Sequence, residues 1–583
     1  MNKTITERLS ALRKKMAENS IDMYYIPTDD FHGSEYVSGY FKCREYISGF
    51  DGSAGTAVIT QTHAGLWTDG RYFIQAEKQL SGTGFTLYKS GNEGVPTAAE
   101  YINKNIGNGT LGFDGRVVST GFAKRIPHVK IRPDVDLVGE IWENRPSLPC
   151  TAVYELDISF CGKSRQDKIS EIRSLMTENK ADICLITALD DICWLLNMRG
   201  QDIDYNPVVL CYLALTQNEV HLFTDHTDID FLNDVTIHPY NDFYSYISEI
   251  SPEKSIYADI SGINLSAYSA IPKDCKIING KDLTKLPKAI KNPVETENMR
   301  KAHIKDGVAV TKFICEIKNN PEKYTELSAA KLIISLRKQQ ENYMGESFEP
   351  ITAYGSHGAI VHYSASPETD TPLKAEGFFL CDTGGHYLEG TTDITRTICL
   401  GAPTLDMKLY YTSVLKGHLA LASAVFPYGC KGVNLDILAR KPLWDMNMNY
   451  NHGTGHGVGY LLNVHEGPNA IRMRTTPNDC VLEEGMITSN EPGLYLENRY
   501  GIRIENLILC RKHTKNDFGQ FMRFDTLTVV PYDPDAVDPE FMSEEELSLY
   551  NIYQAHVYHT LSPYLTEKER EWLKNETRYL FRK

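Results

Sequence analysis

The sequence has no apolar run long enough to cross a membrane. Its most apolar stretch, residues 208–215, spans eight residues, whereas a transmembrane helix needs about 20. The first twenty residues place apolar side chains at helical spacing among charged ones. They contain neither the apolar core nor the cleavage site of a signal peptide. We therefore expect a protein that neither binds a membrane nor enters the secretory route.

Cysteine pairs and an excess of positive charge are also missing. The thirteen cysteines are scattered without a Cys-x-x-Cys pair, which argues against a disulfide framework and favours a cytoplasmic location. The 76 acidic residues outnumber the 60 basic ones, and the net charge is −16. Such a surface repels phosphate backbones, so we expect no nucleic-acid partner.

The chain does contain a duplicated segment. Its length of 583 residues predicts about three to four domains. Sliding the sequence by 160 positions aligns residues 12–26 with residues 172–186, with six identical pairs and one pair of leucine with isoleucine. Both copies read as an amphipathic helix followed by an apolar strand and an acidic pair, Asp29-Asp30 or Asp190-Asp191. Duplication explains these matches better than chance, so we predict two related α/β domains at 1–150 and 151–292.

A third region is predicted over 293–583. Pro293 and Glu295 suit the first turn of a helix, and the helical pattern continues to Ile317. From about residue 350 the pattern changes to short strands with glycine-rich turns. Residues 534–583 form an acidic and then amphipathic helical tail, which either packs against its own domain or forms a subunit interface.

Two aspartates lie in a segment of this third region whose sequence pattern predicts a β-hairpin. An apolar strand leads to Asp382, Gly384-Gly385 permits a turn or bulge, and an alternating strand carries Asp393. Two carboxylates eleven residues apart across such a hairpin can meet on one face. A single aspartate after a strand is more often a turn cap or an ion-pair partner.

Histidines and glycines alternate further along the chain. His452 and His456 lie in Asn-His-Gly-Thr-Gly-His-Gly-Val-Gly, and His465 lies in Asn-Val-His-Glu-Gly-Pro. The glycines argue against a helix, and Gly453 stands where the zinc-protease pattern His-Glu-x-x-His needs glutamate.

Two glutamates lie in motifs further along the third region. Glu491 lies in Ser-Asn-Glu-Pro-Gly, and Glu505 lies in Gly-Ile-Arg-Ile-Glu-Asn, where alternation places it on the same strand face as Arg503. A hairpin turn at 497–499 would bring Glu491 and Glu505 to neighbouring strands.

Taken together, these side chains have a specific use as metal ligands. Four carboxylates match the charge of two divalent cations, and one imidazole distinguishes the two ions. Oxygen ligands with one nitrogen favour Mn²⁺, Fe²⁺ or Co²⁺ over a thiolate zinc site. Two such ions about 3.5–4 Å apart can share a hydroxide and polarise a carbonyl. The set comprises Asp382, Asp393, His456, Glu491 and Glu505.

These motifs resemble those of the pita-bread metallopeptidases. Over almost the whole chain the sequence is similar to cytosolic-type, three-domain Xaa-Pro aminopeptidases, the aminopeptidase P family. The similarity includes SGFDGSAGTAVIT and WTDGRYF in the first domain, TALDDICWLLNMRG in the second, and HGTGHGVG with NVHEGP in the third. The resemblance implies two creatinase-type N-terminal α/β domains followed by a pita-bread catalytic domain.

The resemblance also implies a dinuclear metal site. Asp382 would bind one ion, and His456 and Glu491 would bind the other. Asp393 and Glu505 would bridge both ions. The ions would be Mn²⁺, with Zn²⁺, Co²⁺ or Fe²⁺ as alternatives, and the bridging hydroxide would attack the scissile carbonyl.

Further roles follow from the same resemblance. Glu491 would carry the proton between the nucleophile and the leaving nitrogen. Peptides with proline in the second position would be the substrates, and a homodimer would be the assembly. The implied substrate-binding residues are Arg71, His362, His452, His465, Tyr495 and Arg503, and the three histidines would also assist catalysis.

The sequence departs from the family pattern at three positions near these motifs. His357 stands where relatives often have asparagine, Asn451 where they have leucine, and Asn506 where they have aspartate. None of these positions is an implied ligand.

Other functions remain as alternatives. A prolidase would cleave only dipeptides and usually has one N-terminal domain, so the 160-residue duplication favours the aminopeptidase. A non-catalytic pita-bread scaffold that binds peptides, or a metal-free creatinase-like hydrolase, would not need all five ligands.

Overall fold

The computed structural model describes residues 4–477 and 479–582. The chain forms two compact units. One comprises Met1–Leu156 and Lys163–Lys285, and the other comprises Asp157–Gly162 and Leu286–Lys583. The three-domain boundaries at 150 and 292 stay a prediction. Among the described residues, no helix combines the length and the apolar composition that crossing a bilayer requires.

The first unit contains two six-stranded sheets of the same topology. In spatial order, the strands of one sheet are Thr86–Lys89, Ala64–Thr68, Thr56–Thr60, Met23–Pro27, Thr110–Gly112 and Lys130–Arg132. Those of the other are Thr236–His238, Val220–Phe223, Tyr212–Thr216, Ile183–Ile186, Ser255–Ala258 and Lys276–Asn279. Along each list, the five neighbouring pairs run parallel, antiparallel, antiparallel, parallel and parallel. The shared topology agrees with the predicted duplication.

The repeat is also visible in how the helices pack. Leu12 and Met16 are buried on the helix Ile5–Glu18, and Ile172 and Met176 are buried on the helix Arg165–Glu178. Apolar side chains one turn apart on one face bury a stripe against the core in both copies. The other helices of this unit are Cys43–Ser48, Phe73–Gln79, Ala98–Asn105, Thr120–Ala123, Leu137–Ile141, Leu189–Leu196, Asp242–Ser248 and Leu265–Ala270.

The second unit is built on several small antiparallel sheets. One contains Ile351–Tyr354, Phe378–Thr383 and Ile394–Cys399, and another contains Tyr343–Glu346, Gly385–Tyr387 and Gly390–Thr391. The largest has the order Val425–Pro427, Gly519–Thr526, Asn506–Asn516, Ile487–Asn490, Gly455–Gly457 and Glu466–Ile471. A two-stranded sheet pairs Gly493–Leu496 with Tyr500–Arg503, and a further pair in the chain joins Tyr154–Glu155 to Met198–Arg199.

A long helix, Pro293–Asn319, opens this second unit as the sequence predicts. Asn292 caps it, because its side chain accepts hydrogen bonds from the backbone N–H groups of Val294 and Glu295. Other helices of the chain are Ile158–Cys161, Lys285–Ala289, Glu326–Arg337, Leu405–Ala422, Asp436–Trp444, Glu544–Leu561 and Glu567–Glu576.

The C-terminal tail packs against its own unit. Val557, Leu561 and Leu573 are buried in one apolar cluster with Val308 of the long helix. Lys318 of the long helix also pairs with Glu576 of the last helix, with 2.6 Å between Nζ and Oε1. Packing within the unit therefore accounts for the buried face of the tail.

Candidate metal centre

The two predicted aspartates lie at the ends of adjacent antiparallel strands. Asp382 lies on Phe378–Thr383 and is paired in register with Thr395 of Ile394–Cys399. Asp393 directly precedes that second strand. The chain between them is longer than a simple turn, because it forms two strands of a separate small sheet. Both carboxylates are buried.

His456 lies at the centre of the short strand Gly455–Gly457, so the absence of a helix here is confirmed. The glycines allow close approach of neighbouring backbone. A Cβ at Gly455 would lie 1.8 Å from the carbonyl oxygen of Ser489, and one at Gly457 would lie 2.2 Å from that of Glu466. Any larger residue would therefore push these strands apart and displace the imidazole.

Glu491 and Glu505 flank a second pair of antiparallel strands. Glu491 follows Ile487–Asn490 and Glu505 precedes Asn506–Asn516, and these strands pair with Asn490 opposite Asn506. The predicted hairpin turn at 497–499 joins the strands Gly493–Leu496 and Tyr500–Arg503. The two glutamates therefore reach the same edge of the sheet from neighbouring strands.

Three of the predicted ligands form a tight cluster. One ligand atom from each of Asp393, His456 and Glu505 lies within 4.8 Å of the others. Nε2 of His456 lies 3.4 Å from Oδ2 of Asp393 and 3.5 Å from Oε1 of Glu491. Nδ1 of His456 is 3.0 Å from the carbonyl oxygen of Gly457, which can only accept a hydrogen bond. Nδ1 therefore carries a proton, and Nε2 is the ring nitrogen that faces the carboxylates.

Burial and mutual repulsion raise the pKa values of three carboxylates in this site. Burial raises the pKa of Glu505 well above its ordinary value, and the neighbouring charges of Asp393, Glu491 and Asp382 add to the effect. Burial likewise raises the pKa of Asp382, although the Arg503 guanidinium opposes it. Burial also raises the pKa of Glu491, against the opposing effect of His456. The site therefore concentrates negative charge away from water.

This arrangement fits divalent cations. Among the residues that the structure describes, Oδ1 of Asp382 and Oε1 of Glu505 are buried oxygens without a hydrogen-bond donor. Buried carboxylate oxygens of this kind need a proton or a cation. Burial lowers the pKa of His456, but the Asp393 hydrogen bond and the Glu491 charge raise it to about 9 overall. A metal ion at Nε2 would replace that proton.

Arg503 joins the ligand cluster to the predicted substrate residues. It donates to Oδ2 of Asp382 at 2.6 Å and to the Tyr495 hydroxyl at 2.7 Å. Nε2 of His452 lies 2.9 Å from the same hydroxyl, and its Nδ1 lies 2.7 Å from the carbonyl oxygen of Gly453. The other two histidines occupy nearby elements. The ring of His465 lies 4.3 Å from that of His456.

His362 follows a 3₁₀ turn, Gly355–Ala359. This turn packs against the strand of Arg503, because a Cβ on Gly501 would lie 1.7 Å from the carbonyl oxygen of Gly358. Within the turn, His357 contacts the Glu326 carboxylate, with 2.9 Å between Nδ1 and Oε1. The unusual His357 therefore has a partner within its own unit.

Arg71 lies in the first unit. Its guanidinium pairs with Asp69, with 2.8 Å between Nη2 and Oδ2, and lies 3.8 Å from Glu35. Its role toward a substrate stays a prediction.

Models of known protein families match four segments of this chain. The model of metallopeptidase family M24 matches residues 297–512, and a C-terminal region model matches residues 520–580. Creatinase/prolidase N-terminal domain models match residues 8–141 and 144–295. A probable Xaa-Pro aminopeptidase P from Laccaria bicolor is 39% identical, over 98% of this chain and 93% of that protein. Xaa-Pro aminopeptidase 1 from Dictyostelium discoideum is 36% identical, over 99% of this chain and 97% of that protein.

The chain belongs to the aminopeptidase P family of M24 metallopeptidases.

Solved structures agree with this membership. The X-prolyl aminopeptidase of Caenorhabditis elegans, described as a cytosolic enzyme with a di-nuclear active site, has a TM-score of 0.93 at 34% identity. The match covers 99% of this chain and 100% of that one. A Bacillus anthracis Xaa-Pro dipeptidase shares the fold over 64% of this chain, with a TM-score of 0.52 at 23% identity. The resemblance and the predicted fold class of this aminopeptidase P family member are therefore confirmed.

Two hydroxyl groups at the centre of this aminopeptidase P site were not predicted from the sequence. Thr395 donates to Oε2 of Glu505 at 2.7 Å and accepts from Nε of Arg503 at 3.2 Å. Ser489 accepts from the backbone N–H of His456 at 2.8 Å and donates to Oε1 of Glu491 at 3.2 Å. Each hydroxyl lies two residues from a predicted ligand, a spacing at which alternation along a strand places side chains on one face.

We expect the Glu505→Gln variant to lose metal affinity while remaining folded. The change removes one negative charge but keeps an oxygen for the Thr395 hydroxyl. Mn²⁺ titration of metal-free protein by calorimetry should show two ions per wild-type chain and an affinity at least about tenfold weaker in the variant. Asp406→Asn, which changes a surface carboxylate paired with Arg499, is the matched control. Equal affinity in the two variants would remove Glu505 from the ligand set.

Proposed function

We propose that this chain is a metal-dependent aminopeptidase that removes the first residue from peptides with proline in the second position. The observation that carries the proposal is the cluster of buried carboxylates around His456, in a chain that matches Xaa-Pro aminopeptidases along its whole length. The alternatives without metal do not account for buried carboxylate oxygens that lack donors among the described residues.

Two divalent ions fit the donor set, and Mn²⁺ is the proposed metal because oxygen ligands dominate. Asp382 would hold one ion, His456 and Glu491 the other, and Asp393 and Glu505 both. When bound, such ions polarise a carbonyl and lower the pKa of water. The Nδ1 hydrogen bond of His456 to the Gly457 carbonyl keeps Nε2 available for this purpose.

Glu491 is the proposed proton carrier. Its carboxylate is partly exposed, with 19% of the side chain accessible, so it can reach both the buried cluster and an incoming peptide. The Ser489 hydroxyl holds Oε1, which leaves Oε2 to accept a proton and to deliver it to the leaving nitrogen. Burial nevertheless raises the pKa of Glu491, which suits a group that must bind and release a proton.

The histidines around the cluster suit a pocket for the proline ring. An Xaa-Pro bond has no N–H group, so recognition has to rely on the carbonyl and on the shape of the ring. Nδ1 of His452 donates to the Gly453 carbonyl, and its Nε2 faces the Tyr495 hydroxyl. Burial raises the pKa of Tyr495 to about 12 despite the nearby Arg503, so the hydroxyl keeps its proton. These contacts support the proposal that His452 forms a wall of the pocket.

We also infer a homodimer in the cytoplasm. The Caenorhabditis elegans relative is described as a cytosolic enzyme. Ile552 and Tyr564 on the C-terminal tail are well exposed, at 64% and 58%, which suits a subunit contact. Light scattering at micromolar concentration should give twice the mass of the chain, and a monomer mass would contradict the dimer.

Specificity for proline can be tested with matched peptides. With Mn²⁺, we expect release of arginine from Arg-Pro-Pro and at least about a hundredfold lower kcat/KM for Arg-Ala-Pro, because the pocket is shaped for the ring. Mass spectrometry of the products measures both rates. Equal rates would refute proline specificity, whereas rapid cleavage of Arg-Pro with no cleavage of Arg-Pro-Pro would support a prolidase.

Glu491→Gln tests the proton carrier. The amide cannot accept a proton, so kcat should fall by roughly a hundredfold to ten-thousandfold while the circular dichroism spectrum stays unchanged. Glu497→Gln changes an exposed carboxylate in the nearby hairpin turn and should keep the wild-type kcat. An unchanged kcat in Glu491→Gln at saturating Mn²⁺ would rule out the assigned role.

A further inference from the structure

A buried ion pair lies next to the two aspartates of the candidate metal centre. Arg337, at the end of the helix Glu326–Arg337, donates to both carboxylate oxygens of Asp306 on the long helix. The Nε–Oδ1 distance is 2.7 Å and the Nη2–Oδ2 distance is 3.1 Å. Neither side chain has any exposed surface. The pair takes no part in the chemistry proposed above.

Arg337 and Asp306 each form a hydrogen bond with a threonine that is adjacent in sequence to a predicted ligand. Arg337 donates to the hydroxyl of Thr383, the residue after Asp382. The hydroxyl of Thr392, the residue before Asp393, donates to Oδ2 of Asp306 at 2.5 Å. One buried ion pair therefore binds the neighbours of both aspartates.

The glycine pair in Asp-Thr-Gly-Gly makes this arrangement possible. A Cβ at Gly384 would lie 2.1 Å from the carbonyl oxygen of Thr392, and one at Gly385 would lie 3.3 Å from Cδ of Arg337. The backbone N–H of Gly385 also donates to the Thr392 hydroxyl at 2.9 Å. The absence of side chains at these two glycines thus leaves room for Arg337. It also lets the backbone at Gly384 and Gly385 approach Thr392 closely.

Strand geometry connects this pair to the ligands. Successive side chains on a strand point to opposite faces, so Thr383 and Asp382 project from opposite sides of the strand Phe378–Thr383. The ion pair therefore restrains the backbone at Asp382 through Thr383, from the opposite face of the strand, and the backbone at Asp393 through the adjacent Thr392. Small displacements of a ligand weaken metal binding, and the partners that orient ligands are commonly as necessary as the ligands.

We propose that Asp306, Arg337, Thr383 and Thr392 are positioning residues that set the separation of the Asp382 and Asp393 carboxylates for metal binding. This inference rests on the proposed metal site and deepens it. A pair that served only the stability of the core would lower the unfolding temperature when altered. It would leave the affinity of the folded protein for Mn²⁺ unchanged.

Isosteric threonine variants separate the two roles, since they remove a hydroxyl without leaving an unpaired buried charge. Thr392→Val and Thr383→Val break the links to the ion pair, and Thr392→Ser keeps the link. Thr311→Val is the matched control. Thr311 is buried on the same long helix as Asp306, and its hydroxyl has no hydrogen-bond partner among the described residues.

The full-length, metal-free variants are titrated with Mn²⁺ in competition with a fluorescent chelator. We expect Thr392→Val and Thr383→Val to raise the Kd for Mn²⁺ by about tenfold, and Thr392→Ser and Thr311→Val to stay within about twofold of wild type. Thermal unfolding of each metal-free variant reports stability separately. At saturating Mn²⁺, kcat in the two valine variants should fall more than KM changes, because the carboxylates remain misplaced.

Wild-type affinity in both valine variants would overturn the positioning role and leave the proposed function intact. So would an equal loss of affinity in Thr311→Val, because the effect would then come from general destabilisation. A wild-type chain that binds no Mn²⁺ would overturn both the inference and the proposed metal site.

Discussion

Repulsion among buried carboxylates is the constraint around which the second unit is arranged. Asp382, Asp393 and Glu505 are almost fully buried, and Glu491 lies beside them. Removing such charges from water is unfavourable unless positive charge lies close by. Among the described residues, the imidazole of His456 and the guanidinium of Arg503 pair with these carboxylates, and two positive charges do not balance four negative ones. Divalent cations complete the balance, and hydrolytic chemistry follows from where they bind.

The surrounding fold keeps these like charges together. Antiparallel pairing brings Asp382 beside the strand that follows Asp393, and a second antiparallel pair brings Glu491 and Glu505 to one edge. Glycines at 455 and 457 let the strand of His456 approach closely. Short paired strands suit this purpose better than loops, because backbone hydrogen bonds hold the segments in which the ligands lie or which they adjoin. The long helix and the C-terminal tail bury the outer layer of this scaffold.

Much of the fold and of the ligand set could be predicted from the sequence, because the patterns that indicate them involve residues close together in the chain. The alternation in Gly-Ile-Arg-Ile-Glu placed Arg503 and Glu505 on one face, and the glycines excluded a helix at His456. The duplication predicted two related α/β domains, and the structure has two sheets of one topology in this part of the chain. By contrast, the Asp306–Arg337 pair joins residues on different helices, and Thr392 lies 86 positions from Asp306. No periodicity connects such residues, because their contact is created only by tertiary packing.

Arg503 touches both halves of the site, since one guanidinium binds Asp382 and the Tyr495 hydroxyl that faces His452. A substitution that reshapes the wall for another ring would therefore also disturb a carboxylate beside the ions. In the proposed site, selectivity for the ring and retention of the ions would therefore be linked, and a change in one would need compensation in the other. Such linkage would make the surroundings of this guanidinium less tolerant of substitution than surfaces remote from it.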